Sequence, residues 1–134
     1  MWNAFAGGVR QFMLAGLLGG ACMLLAVPGQ ARQTATMGEP APVALAQLPR
    51  QARTVYARIR EGGPFSYDKD GSVFGNYERR LPSHKRGYYR EYTVRTPGVR
   101  GRGARRIVCG GAPRAPDACY YTQDHYTSFR TIAP

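Results

Sequence analysis

The chain reads as an α+β protein in which one N-terminal α-helix packs on a twisted antiparallel β-sheet. Two observations carry that reading. A single stretch, Arg50 to Arg60, sets its apolar residues at helical spacing. Everything after Pro64 breaks into short β-prone runs divided by turn residues, the texture of an antiparallel meander.

Taken in order, residues 1–31 contain one base, Arg10, and no acid, followed by the apolar run Phe12 to Val27 and small residues at Gly29 and Ala31. This is the pattern of a secretory signal peptide cleaved near Ala31. The run is interrupted by Gly16, Gly19 and Gly20 and falls short of the ~20 residues a spanning helix needs, so no stable membrane association is expected after cleavage. Residues 32–46 are mostly Gln, Thr, Ala, Pro and Gly with one acid, a composition that builds little core and reads as a flexible N-terminal arm. The folded domain is then expected over 47–134.

Its helix starts after Pro49, carries Ala52, Val55, Tyr56 and Ile59 on one face and arginines on the other, and stops at Gly62-Gly63-Pro64. The expected strands are Val73 to Phe74, Tyr88 to Arg95, Arg105 to Cys109, Cys119 to Thr122 and Ser128 to Ile132. Turns at Asp68 to Gly71, Leu81 to Ser83, Thr96 to Gly98 and Gly110 to Pro113 separate most of them. Alternation within the long run places Tyr92 and Val94 on one face and Tyr89, Glu91 and Thr93 on the other. If Tyr92 and Ile107 lie under the helix, Glu91 and Arg106 meet on the open face.

Nineteen Lys and Arg face eight Asp and Glu. Loss of the leader removes only Arg10, leaving sixteen Arg among eighteen bases. Planar guanidinium forks suit phosphate, so a phosphate-bearing polymer is the expected partner. Cys22 leaves with the leader, and the remaining Cys109 and Cys119 form an even count in an oxidising compartment, where they are expected to pair. Two cysteines and two scattered histidines offer no zinc-type spacing, and neither metal nor cofactor is expected.

Within so basic a chain, Glu91 in the strand Gly87 to Val94 stands out, because a buried carboxylate is costly unless paired. Metal-free chemistry on a phosphodiester needs a base, an acid and a cationic clamp. Glu91, His125 and the pair Arg102 and Arg106 are the candidates. His84, among Lys85 and Arg86, reads as surface loop decoration. Glu78 closes the segment Val73 to Glu78; a carboxylate can accept from the two adjacent donors that guanine alone among RNA bases presents. Phe74 or Tyr77 can supply a plane on which an unpaired base stacks. Against this stands a non-catalytic reading, a secreted nucleic-acid or polyanion-binding module whose acids are structural.

From about Gly63 to Ile132 the blocks Gly63-Pro64-Phe65, Asp70-Gly71, Phe74, Asn76, Glu78, Leu81-Pro82, Gly87-Tyr88-Tyr89, Glu91-Tyr92-Thr93-Val94, Thr96-Pro97-Gly98, Arg102-Gly103, Arg105-Arg106-Ile107, Tyr120-Tyr121-Thr122 and Asp124-His125-Tyr126 resemble the microbial guanyl-specific, barnase-related ribonucleases. The resemblance implies the same helix-on-sheet fold and a secreted endoribonuclease that cleaves single-stranded RNA 3′ to guanosine through a 2′,3′-cyclic phosphate. It implies Glu91 as general base, His125 as general acid, Arg102 and Arg106 on the phosphate, Glu78 as guanine reader, Asn76 in the base loop and Tyr126 beside the phosphate. Gly75 departs from the larger polar residue of close relatives. The cysteines that in some relatives tie the N-terminal arm to the C-terminus are absent. A monomer, with an acidic barnase-type inhibitor protein as a possible further partner, completes the expectation.

Overall fold

The computed structural model describes residues 39–134. The expected leader lies outside them. Helix α1, Arg50–Glu61, packs over a six-stranded sheet whose strands are β1 Pro42–Ala44, β2 Ser72–Val73, β3 Tyr89–Thr93, β4 Arg106–Ala112, β5 Ala115–Thr122 and β6 Arg130–Ala133. Their spatial order is β1-β6-β5-β4-β3-β2; the β1–β6 pair is parallel and the others are antiparallel.

The helix forms where its apolar face recurs every three or four residues, and Ala52, Tyr56 and Ile59 are its buried positions. Arg58 and Arg60 lie in its last turn, where cations complement the carbonyl end of the helix dipole. It ends on left-handed Gly62: the N–H of Gly62 donates to Ile59 and that of Gly63 to Arg58, so two terminal carbonyls are satisfied without a side chain. Under the helix, Tyr92, Val94, Ile107, Cys109, Cys119, Tyr121 and Ile132 complete the main core. Cys109 and Cys119 face one another across β4 and β5 and are joined by a disulfide.

Two expectations change. The segment read as a flexible arm ends in a strand: β1 pairs with β6 in the register Val43 to Ile132, and Val43 is 4% exposed. Strand pairing draws on backbone groups that every composition carries, so a Pro- and Ala-rich segment can join a sheet if one apolar residue reaches the core. The turn expected at Gly110 to Pro113 is shorter, because β4 runs through Gly110 and Gly111 to Ala112 with a register shift between the two glycines. A bulge there keeps the hairpin paired to its tip.

The opposite sheet face carries a smaller core of Leu81, Tyr89, Val108, Tyr120 and Phe129, flanked by Phe74, Tyr88 and Tyr126. As the alternation predicts, Glu91 lies on this side of β3, opposite Val108, while Tyr92 pairs with Ile107 under the helix. Three loops rise around it: 74–81 after β2, 94–105 between β3 and β4, and 123–129 between β5 and β6.

Candidate active site

Glu91 is held at both oxygens. Arg102 donates from Nη2 to Oε1 at 3.0 Å, and the Tyr126 hydroxyl donates to Oε2. A partly buried carboxylate whose oxygens each have a donor is fixed in place. The cation paired with it is therefore Arg102, in the β3–β4 loop, and not the neighbouring-strand Arg106. Arg102 is itself anchored, its Nε donating to Thr93 Oγ1 at 2.9 Å.

Arg106, only 2% exposed, is turned toward the loop that carries Arg102. Its Nη1 donates to the carbonyls of Arg102 at 3.3 Å, Gly103 at 3.0 Å and Arg105 at 2.7 Å, which ties the loop to the sheet. Its Nε is buried without a partner, and its guanidinium lies 5.9 Å from the centroid of the Tyr126 ring.

His125 and Tyr126 sit on a loop wound around Asp124. The Asp124 carboxylate accepts from Thr122 Oγ1 at 2.9 Å and from Ser128 N and Oγ at 2.9 and 2.5 Å. The Ser128 hydrogen bonds, with that of Thr122 behind them, hold its pKa below the ordinary carboxylate range. Thr122 Oγ1 also receives the Tyr126 N–H at 3.1 Å, and the His125 N–H donates to Ala104 at 3.1 Å. These bonds stabilise two successive residues in the left-handed region, His125 at φ 53° and Tyr126 at φ 70°, a conformation that non-glycine side chains disfavour. The His125 ring stands exposed, 4.9 Å from the Tyr126 ring. Burial, reinforced by the Glu91 hydrogen bond, pushes the Tyr126 hydroxyl up to about 12, so it remains a donor to Glu91 at neutral pH.

The third loop supplies Phe74, Asn76, Tyr77 and Glu78. The Asn76 side chain donates to the Leu81 carbonyl at 2.9 Å and accepts from the Leu81 N–H at 3.1 Å, closing the loop on itself. Phe74 is already stacked on Tyr126, with centroids 5.0 Å apart, whereas Tyr77 is 90% exposed. Of the two candidate stacking planes, Tyr77 is the free one. The departure at Gly75 has a local cause: a Cβ there would lie 2.4 Å from Cε2 of the Tyr77 ring, so the missing side chain makes room for that ring. Glu78 is exposed and pairs with Arg80 Nε at 3.5 Å. It does not join the Glu91 cluster, yet Glu78 and His125 line one pocket of about 280 Å³ together with Phe74, Asn76, Tyr77 and Tyr126. Among the described residues, no three of His, Cys, Asp and Glu converge to hold a metal ion.

The residues singled out in sequence thus occupy one face of the sheet, in two adjoining groups. The bond that links them, from Tyr126 to Glu91, leaves no trace in residue order, since it depends on the positive φ at 126. A family model described as ribonuclease matches residues 30–133. The chain belongs to the ribonuclease family. Curated family members similar to it include guanyl-specific ribonuclease Sa3 of Kitasatospora aureofaciens, 52% identical over 67% of the chain and 62% of that protein's length. Guanyl-specific ribonuclease St of Saccharopolyspora erythraea is 50% identical over 66% of the chain and 83% of its own length. Among solved ribonucleases, a crystal structure of ribonuclease Sa2 with guanosine-2′-cyclophosphate superposes with a TM-score of 0.65 at 45% identity. It covers 71% of this chain and 97% of that one.

Proposed function

We propose that the chain is a secreted endoribonuclease that cleaves single-stranded RNA 3′ to guanosine. The observation that carries this reading is the Glu91 carboxylate, fixed between Arg102 and Tyr126, beside a pocket that Glu78 and His125 share. Glu91 takes the proton from the ribose 2′-hydroxyl, whose oxygen attacks phosphorus, and His125 protonates the departing 5′-oxygen. Arg102 and Arg106 offset the charge that builds on the phosphoryl oxygens. A 2′,3′-cyclic phosphate results; water then opens it with the two groups exchanging roles. Glu78 accepts from the ring imino and exocyclic amino groups of guanine, with Tyr77 against the base face. The names of the similar guanyl-specific ribonucleases support the base preference.

The test is incubation with the dinucleoside phosphate GpC, with guanosine 2′,3′-cyclic phosphate as the expected product. No step of the route calls on a metal, so turnover in excess chelator is expected. RNA binding without hydrolysis would favour the binding-module reading instead. The leader-like N-terminus supports export, which a culture-supernatant assay would detect. An acidic inhibitor protein acting on the basic cleft of a monomeric enzyme belongs to the same proposal; activity unchanged by an acidic barnase-type inhibitor would remove it.

A further inference from the structure

The loop that carries Glu78 is a ridge with a hollow on either side. Phe74, Asn76 and Tyr77 line both the pocket that contains His125 and a second one of about 540 Å³. The far wall of the second hollow is Ser83 to Arg86, with Arg79 at its rim and Tyr89 beneath. Its volume is within the ~300–1,000 Å³ range of small-ligand sites.

Its chemistry is one-sided. No acid lines it, and Arg79, Lys85 and Arg86 form no ion pair among the described residues. The one aromatic side chain of that wall, His84, is supported by two tyrosines. His84, read from the sequence as loop decoration, stacks on Tyr88 with ring centroids 3.7 Å apart and planes 13° from parallel, and meets Tyr89 edge-on. Tyr88 is anchored by its hydroxyl to Asp117 at 3.0 Å and Tyr89 to the Pro82 carbonyl at 2.6 Å. Unpaired cations beside an exposed, supported aromatic stack are what a phosphate and an unpaired base require together.

We propose that this hollow is a second nucleotide subsite, which takes the 5′-phosphate of the bound guanosine and the nucleoside preceding it on the same RNA strand. The direction follows from what the two hollows share. They have the base loop in common, but His125 and Tyr126 line only the first. The scissile phosphate, 3′ to guanosine, belongs with His125, so the strand that crosses the ridge away from it runs 5′. This inference rests on the endoribonuclease reading.

The test compares kcat/KM for GpC, ApGpC and GpCpA in the full chain and in a Lys85→Ala/Arg86→Ala variant, with Arg53→Ala/Arg60→Ala as a control of equal charge loss on the helix. ApGpC is expected to exceed GpC by roughly five- to tenfold, the worth of one or two exposed ion pairs to phosphate. The gain should fall below about twofold in the Lys85/Arg86 variant and persist in the control, if the contacts are local and not a general field effect. A gain that is absent, that survives the Lys85/Arg86 variant, or that follows 3′ extension instead overturns the subsite. GpC cleaved without a 5′ gain sinks the subsite alone; failure to cleave either substrate sinks the catalytic reading with it.

Discussion

The pairing of Glu91 with Arg102 can be measured without reference to catalysis. At 3.0 Å and an effective dielectric constant of about 20, the direct attraction is roughly 5.5 kcal/mol. The Glu91 and Arg102 side chains are 13% and 27% exposed, so withdrawal of both ions from water offsets much of that attraction. A net coupling of about 2 kcal/mol remains, in the ~1.5–3 kcal/mol range of a charged hydrogen bond. Arg102→Ala should therefore destabilise the fold by at least about 2 kcal/mol, because Glu91 keeps only the Tyr126 hydroxyl. Glu91→Gln should cost less, and the double variant should be more stable than the sum of the single losses predicts by about 1–2 kcal/mol. Urea denaturation of the four proteins at neutral pH measures this, and raising the salt should shrink the coupling only modestly, since the pair is largely shielded. Strictly additive losses would show that Glu91 is tolerated in the sheet for some other reason.

Glu91→Gln and His125→Ala should each lower kcat/KM on GpC by at least about 10², the usual worth of a general acid or base, while the variants remain folded. The preference for cleavage after guanosine over adenosine should collapse in Glu78→Ala, with an unchanged ratio removing Glu78 from base reading. Replacing Cys109 and Cys119 by serine should cost about 2–3 kcal/mol from the freed loop, seen as a lower midpoint in thermal unfolding. Burial, together with neighbouring acidic groups and hydrogen bonds to them, raises the pKa values of Tyr120 and Tyr126 to about 12, so the folded state binds their protons more tightly than the unfolded chain. Stability from these groups should be intact below about pH 10 and lost as the pH rises from 10 toward 12. Tyrosinate absorbance at pH 10 that is lost in Tyr120→Phe or Tyr126→Phe, developing with no loss of stability, would contradict that linkage.

Periodicity carried much of this structure. Helix α1 and the face of β3 that presents Glu91 follow from repeats of 3.6 and 2 that any reader of the chain can count. Strand β1 escaped because parallel pairing at a sheet edge asks little of side chains beyond Val43. The partner of Glu91 was misassigned for a related reason. Strand alternation brings Arg106 to the correct face, but says nothing of where its guanidinium turns or how far a loop arginine can reach back. Tyr126 was legible only through the family resemblance, and the hydrogen bond that gives it a place in the site depends on a backbone conformation with no compositional signature.

The sheet ends at β1 and β2. Strand β2 is two residues long, and β1 is three residues that begin with Pro42, which has no N–H to offer another chain. Short, proline-bearing borders are poor templates for the intermolecular pairing that leads a β-rich protein into aggregates. If the N-terminal segment were trimmed past Ala44, the four residues of β6 would become the new border, with the Thr131 N–H that now donates to Ala41 left open. The position of any cut in the N-terminal segment thus bears on colloidal behaviour as well as on fold: a chain cut past Ala44 would expose a sticky flank.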